Sequence, residues 1–471
     1  MRYLRSTTTF LCLLCITIAS CAQSPAVKSP AEKIRQLLDK YNSYKLFNGA
    51  ALVAKDGKVI YKGGVGYANF EWEIRNTPDT RFRLGSITKQ FTAMLILQLA
   101  EQGKLKLDGH ISDYLPYYPK ANGEKVTIYN LLTHTSGIPN YTGLPDFFSR
   151  LARNPSTPKE FIPVFSELPL EFTPGSDYKY SNSGYFVLGA IIEEVTGQPY
   201  ASVLQERILT PLHMNNTGYD KAAPIIKKRA AGYERNGDSF VNTAYIDMDV
   251  PYAAGSMYST VEDLYLWDQA LYTNRLLNAA SKTTYFTPFL KGYACGWMTG
   301  PVTLGNTKDT LSSIAHGGGI NGFNTIIVRI PGSKDLVVLL NNTGPAPLEE
   351  MVQNILAILY NKTYKAPVKP APAPPPAKTL TAIAPDTAAY RLYTGKYELA
   401  PNVVMAISTE GGHIYEQLTG QARFEIFPSA PAEFFMKVVD ARISFKKNEQ
   451  GVVDQLVLHQ NGKDIPAKRV E

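Results

Sequence analysis

A proline-dense run, Pro367-Val368-Lys369-Pro370-Ala371-Pro372-Ala373-Pro374-Pro375-Pro376, divides this chain. Such density favours polyproline II, an extended and semi-rigid spacer with no core of its own. Residues 363–385 therefore read as a linker. Beyond it the pattern changes to short alternating segments, among them Val403-Val404-Met405-Ala406-Ile407, Arg423-Phe424-Glu425-Ile426-Phe427, Ile443-Ser444-Phe445 and Gln455-Leu456-Val457-Leu458. Turn residues separate them at the roughly 8–12 residue spacing of sandwiches and barrels, so residues 386–471 are expected to form a small all-β barrel.

The part before the linker, residues 31–362, is long enough to bury a core without disulfide staples. Helical patterning begins near Ala31-Glu32-Lys33-Ile34. Asp56-Gly57, flanked by Gly49–Ala54 and Lys58–Lys62, is a hairpin signal. Strands around Asn324–Ile330 and Asp335–Leu340 would extend that hairpin into an antiparallel sheet. Helices near Glu193, near Asp263 and over Leu348–Tyr360 would cover it. The expectation is an α/β fold with a separate helical subdomain.

Ser86-Ile87-Thr88-Lys89 places a hydroxyl and an amine on one face at the start of an apolar helix that runs without Gly or Pro to Gly103. A serine hydroxyl is a poor nucleophile until a neighbour takes its proton, and lysine does so only when its pKa is depressed. The apolar helix supplies desolvation, and its N-terminal dipole favours negative charge near Ser86. Two further motifs follow. Tyr180-Ser181-Asn182 comes after the loop Phe172-Thr173-Pro174-Gly175, and His316-Gly317-Gly318-Gly319 leads into the strand-like Asn324–Ile330. Tyr180 has an ordinary pKa near ~10 that a lysine cation would lower, making it a second candidate base. Lys89 and Tyr180 form a coupled pair in which sequence does not decide the formal base. Asn182 has both a donor and an acceptor, suited to holding Lys89 and a substrate amide. The glycine run offers a strand edge without side-chain bulk, to which a substrate backbone could pair. It also spells G-x-G-x-x-G from Gly317 to Gly322, but it precedes a strand instead of opening a helix, so a dinucleotide site is excluded.

These three motifs, in this order, resemble the active-site-serine penicillin-recognising enzymes. The tyrosine of the second motif is similar to the class C β-lactamase branch with its D,D-peptidase, D-aminopeptidase and esterase relatives. Local phrases join the resemblance: Arg83-Leu84-Gly85-Ser86, Leu131-Leu132-Thr133-His134-Thr135-Ser136-Gly137 and Tyr180–Tyr185. It implies an acyl-enzyme at Ser86, with Lys89 and Tyr180 moving protons. It also implies an oxyanion hole from the backbone N–H groups of Ser86 and Gly319. The C-terminal barrel resembles the lipocalin-like domains that follow such hydrolases. His316 departs from the commonest pattern, which has lysine there. Histidine is only partly charged near neutrality, so anchoring of an anionic substrate should be weaker and pH-dependent. Amide, peptide or ester substrates are therefore expected ahead of antibiotics. The alternative is a penicillin-recognising sensor that acylates without turnover.

No G-x-S-x-G elbow, H-E-x-x-H or paired-cysteine spacing occurs, so an α/β-hydrolase and a zinc enzyme are unsupported, and no cofactor or metal is expected. His134 and His213 read as structural. Met1–Arg5 and the apolar Phe10–Ile18 form an export signal, residues 1–20, too short to span a bilayer as a permanent helix. Ile18-Ala19-Ser20-Cys21 resembles a lipobox, which would diacylate Cys21; Ser20-Cys21-Ala22 also fits ordinary signal cleavage. A bacterial cell-envelope location follows in the first case and free secretion in the second, with membrane association only through Cys21. Past Cys21, Cys295 is the remaining cysteine. The formal net charge of +7 is modest for 471 residues, and no basic run looks like a nucleic-acid surface. The expected partner is a small-molecule or peptide substrate.

Overall fold

A computed structural model describes residues 28–369, 382–384 and 386–471, apart from 402, 421, 422, 438, 440, 461 and 462. The export signal, Cys21 and most of the proline run lie outside the described residues. The chain divides into two compact units, residues 1–371 and 372–471.

The first unit is built on a six-stranded antiparallel sheet in the order 298–303, 310–320, 323–330, 335–341, 49–55, 58–65. The Asp56-Gly57 turn takes positive φ at both residues, 50° and 74°, the backbone that a two-residue hairpin requires. Alternation then sorts side chains to two cores. Leu52, Leu336, Val338 and Leu340 face a large core shared with the helical subdomain. Val53, Val337 and Leu339 face a smaller one, closed by the helices Pro30–Ser43 and Leu348–Leu359. Both faces of strands 335–341 and 49–55 are thus dry, and each such residue contributes roughly 1.5–3 kcal/mol by burial. The helix Pro30–Ser43 starts at a capping box between Ser29 and Glu32. The expected helices near Glu193 and Asp263 span Asn182–Thr196 and Val261–Ala270.

The helix Thr88–Glu101 lies between sheet and helical subdomain, with eleven of its fourteen residues buried. Burial on nearly all sides explains why apolar residues occur around its whole circumference, with Lys89, Gln90 and Thr92 enclosed among them. Thr363 and Lys365 remain attached to this unit. The Thr363 carbonyl accepts from the Asn306 backbone at 3.2 Å, and the Lys365 carbonyl accepts from Asn354 Nδ2, also at 3.2 Å.

The second unit is a closed barrel of eight strands running in chain order from Gly395–Ala400 to Lys463–Arg469. The first and last strands pair at Tyr397 with Arg469, which closes the sheet. All four alternating segments quoted from the sequence fall in its strands.

Candidate active site

Ser86 sits in the tight turn Gly85–Ile87 that opens directly into Thr88–Glu101. Gly85 has φ +55°, and a Cβ there would come within 2.9 Å of Gly319 N. The turn therefore needs glycine twice over: for its left-handed backbone and for the approach of the third-motif strand. Gly318 is equally constrained, since a Cβ on it would reach 1.9 Å from the Leu84 carbonyl. Thr325 Oγ1 donates to that same carbonyl at 2.7 Å, which pins the strand to the turn. This packing sets Gly319 N against the turn that carries Ser86.

Lys89 is fully buried. Its Nζ lies 3.1 Å from Ser86 Oγ, 2.8 Å from Asn182 Oδ1 and 2.8 Å from the Ala254 carbonyl oxygen. Burial holds its pKa well below the usual lysine range. Asn182 is the first residue of its helix, and its N–H donates to Asn140 Oδ1 at 3.1 Å. Tyr180 packs with its ring centroid 4.8 Å from Lys89 Nζ. Enclosure pushes the Tyr180 phenol above its ordinary value, and a hydrogen bond with Ser86 offsets part of that rise. The sequence argument had a lysine cation lowering Tyr180; in the folded protein desolvation acts first on both groups and favours their neutral forms.

His316 is buried, and both ring nitrogens are engaged inside the protein. Nδ1 stands 2.6 Å from the Gly317 carbonyl, which can only accept, so Nδ1 carries the proton. Nε2 then accepts from the Tyr293 hydroxyl at 3.0 Å. Burial first, and Lys89 second, lower the His316 pKa to about 4. The strand 310–320 pairs with 323–330 through Ile320, but its pairing with 298–303 ends at Ala315. Among the described residues no strand pairs with His316–Ile320 on that side.

His134, read from sequence as structural, stands against the site. Its backbone φ is +56°. Its carbonyl accepts from the Lys179 N–H at 3.0 Å, and its Nδ1 accepts from the Ser181 N–H at 3.2 Å. Its ring lies 4.2 Å from that of Tyr180 and 4.5 Å from that of Tyr293. Tyr180 is thus gripped through both of its chain neighbours. The phrase Leu131–Gly137 contains His134 without giving it a role, and nothing in the sequence marked Tyr293 among 29 tyrosines. His213 is exposed. Cys295 is a free, buried thiol pushed up to about 12 by burial, hence inert. Among the described residues no cluster of His, Cys, Asp and Glu could hold a metal, and no helix is long and apolar enough to cross a membrane.

Comparison with known proteins identifies the family and the fold. The Beta-lactamase family profile matches residues 31–372, and a domain of unknown function, DUF3471, matches residues 380–469. Penicillin-binding protein 4* of Bacillus subtilis (strain 168) is 29% identical over 461 residues, covering 93% of this chain and 98% of that protein. A penicillin-binding protein from Bacillus halodurans superimposes with a TM-score of 0.59 at 29% identity, over 67% of this chain and 98% of that one. The D-amino acid amidase of Ochrobactrum anthropi SV3, solved with L-phenylalanine amide, gives 0.61 at 25% identity, over 71% and 99%. With three quarters of its length accounted for by one profile and its fold shared with these structures, the chain belongs to the beta-lactamase family.

Proposed function

We propose that this protein is an active-site-serine hydrolase that cleaves amide, peptide or ester substrates through an acyl-enzyme at Ser86. The observation that carries the reading is the environment of Lys89. As a neutral amine it has two N–H bonds and one lone pair. The Asn182 and Ala254 oxygens can only accept and take the two N–H bonds. The lone pair is left for the Ser86 hydroxyl, 3.1 Å away.

Ser86 Oγ attacks the substrate carbonyl as its proton passes to Lys89, and the N–H groups of Ser86 and Gly319 receive the oxyanion. Tyr180, still protonated, gives its proton to the leaving amine or alcohol and is reprotonated from Lys89. Water then reverses the sequence: it releases the acid and returns a proton to Ser86. The substrate backbone lies along the edge His316–Ile320. A neutral His316 supplies no charge for a carboxylate, which supports amides and esters over β-lactams; the likeness to a D-amino acid amidase points the same way.

The test is a hydrolysis panel of D-amino acid amides, D-Ala-D-Ala peptides, neutral esters and a cephalosporin, run beside labelling with a fluorescent phosphonate. Turnover with labelling that disappears in Ser86→Ala is expected, with kcat lower by about four to six orders of magnitude. Labelling of the parent without turnover of any substrate would identify an acylating sensor instead. For location, the leader Met1–Ile18 and the Ile18–Cys21 sequence support export with a lipid on Cys21. Mass spectrometry of the mature N-terminus tests it.

A further inference from the structure

The helical subdomain contains a second cavity, of about 310 Å3, that the hydrolytic chemistry does not use. Tyr200, Tyr219 and Tyr252 line it together with Glu193, Asp249 and, at its mouth, Lys221. The three rings are mutually inclined at 56–77°, with centroids 5.4–6.3 Å apart. They therefore present faces in different directions and not a single stack. Tyr252 is 5% exposed. Burial first, and the charge and hydrogen bond of the neighbouring Glu193 carboxylate next, disfavour ionisation of the Tyr252 hydroxyl. Its backbone is held at φ +43°, a conformation uncommon for a bulky side chain.

Aromatic faces bordered by carboxylates attract ammonium groups, through the ring quadrupole and through charge. The chain itself gives an example: the exposed Lys221 places its Nζ 5.7 Å from the Tyr219 centroid. Asp249, half-buried beside Asp247 and Lys221, is raised from its ordinary value, mainly by burial. Two carboxylates and three aromatic faces around an open volume leave room for one cationic head with a short apolar tail. We propose that this cavity is a binding site for a small organic ammonium, with Glu193 and Asp249 as its counter-charges and Tyr219 and Tyr252 as its aromatic wall.

The site is separate from the nucleophile. The short helix Tyr252–Gly255 stands between them, with the Tyr252 ring lining the cavity and the Ala254 carbonyl taking Lys89 Nζ. Binding is therefore measured in the full-length Ser86→Ala protein, so that failure of the hydrolase reading and failure of this one are distinguishable. The probe is n-butylammonium chloride, titrated at constant ionic strength by calorimetry, with n-butanol as the neutral analogue. Saturable one-site binding at least tenfold tighter than butanol is expected. It should weaken at least tenfold in Glu193→Gln/Asp249→Asn; the Gln retains an acceptor for the Tyr200 N–H that Glu193 Oε1 now accepts at 2.8 Å. Equal affinity for the amine and the alcohol overturns the proposal. So does unchanged amine affinity in a double variant that melts like the parent. If the double variant melts early, Asp249→Asn alone is compared in the same two titrations, with a loss of at least threefold expected and no loss overturning the site.

Discussion

The Tyr293 hydroxyl donates to His316 Nε2 at 3.0 Å, while His316 Nδ1 is spent on the Gly317 carbonyl. A histidine tied at both nitrogens inside a tyrosine cluster acts as a neutral spacer in the third motif. The sequence had offered it as a titratable anchor for anions.

The first prediction follows from that pair. Protonation of His316 begins only as pH falls toward about 4. The ratio of kcat/KM for a peptide with a free carboxylate to that for its amide should therefore stay flat from pH 8 to pH 5. Matched-substrate kinetics check this. A ratio that climbs as pH drops through 6.5 would show that His316 charges in the working enzyme and meets the anion.

The base and the acid give a second prediction. Lys89 must be neutral to accept the proton of Ser86, and burial lowers its pKa. Activity on a neutral ester should rise with pH through a midpoint well under the ordinary lysine value and fall off below it. Tyr180 is needed protonated and its pKa is raised, so no alkaline decline should occur before about pH 10. A rate that falls above pH 8 contradicts this assignment. Lys89→Ala, Tyr180→Phe and the double variant should show similar, non-additive losses in kcat.

Of the elements that position these groups, much was legible in the sequence and some was not. The helix at Ser86, the Asp56-Gly57 hairpin and the alternating barrel strands are local signals, written in periodicity and turn residues. Ser86, Lys89, Asn182 and Tyr180 are brought together as their motif order implied. Tyr293 was invisible because its role comes from a contact with His316 across 23 positions. His134 is structural, as its sequence context implied, but its grip on the neighbours of Tyr180 uses a backbone carbonyl, a ring nitrogen and a left-handed φ, which residue type does not reveal. Thr363 and Lys365 pack on the first unit through backbone hydrogen bonds, which composition does not record either.

Gly85→Ala is the third prediction. The new methyl would sit 2.9 Å from Gly319 N on a backbone at φ +55°. Strain of about 1–2 kcal/mol and displacement of the Gly319 N–H should lower kcat by about 10²–10³-fold, with a smaller change in KM. Near-parental kcat in a folded variant would remove Gly319 from the oxyanion hole.

The fourth prediction concerns the linker. A chain ending after Val368 keeps the Thr363 and Lys365 hydrogen bonds and should fold and label with the phosphonate. One ending after Tyr360 loses both and should melt several degrees lower. Equal melting temperatures would mean that residues 361–368 add nothing to the first unit.

The burial of Thr88–Glu101 on nearly every side also ties chemistry to cooperativity. Amide protons in a helix so enclosed exchange with solvent only when the surrounding unit opens as a whole. Lys89 has no local route to disorder of its own. On heating, the enzyme should hold its catalytic constellation until the first unit melts, and then lose it in a single step.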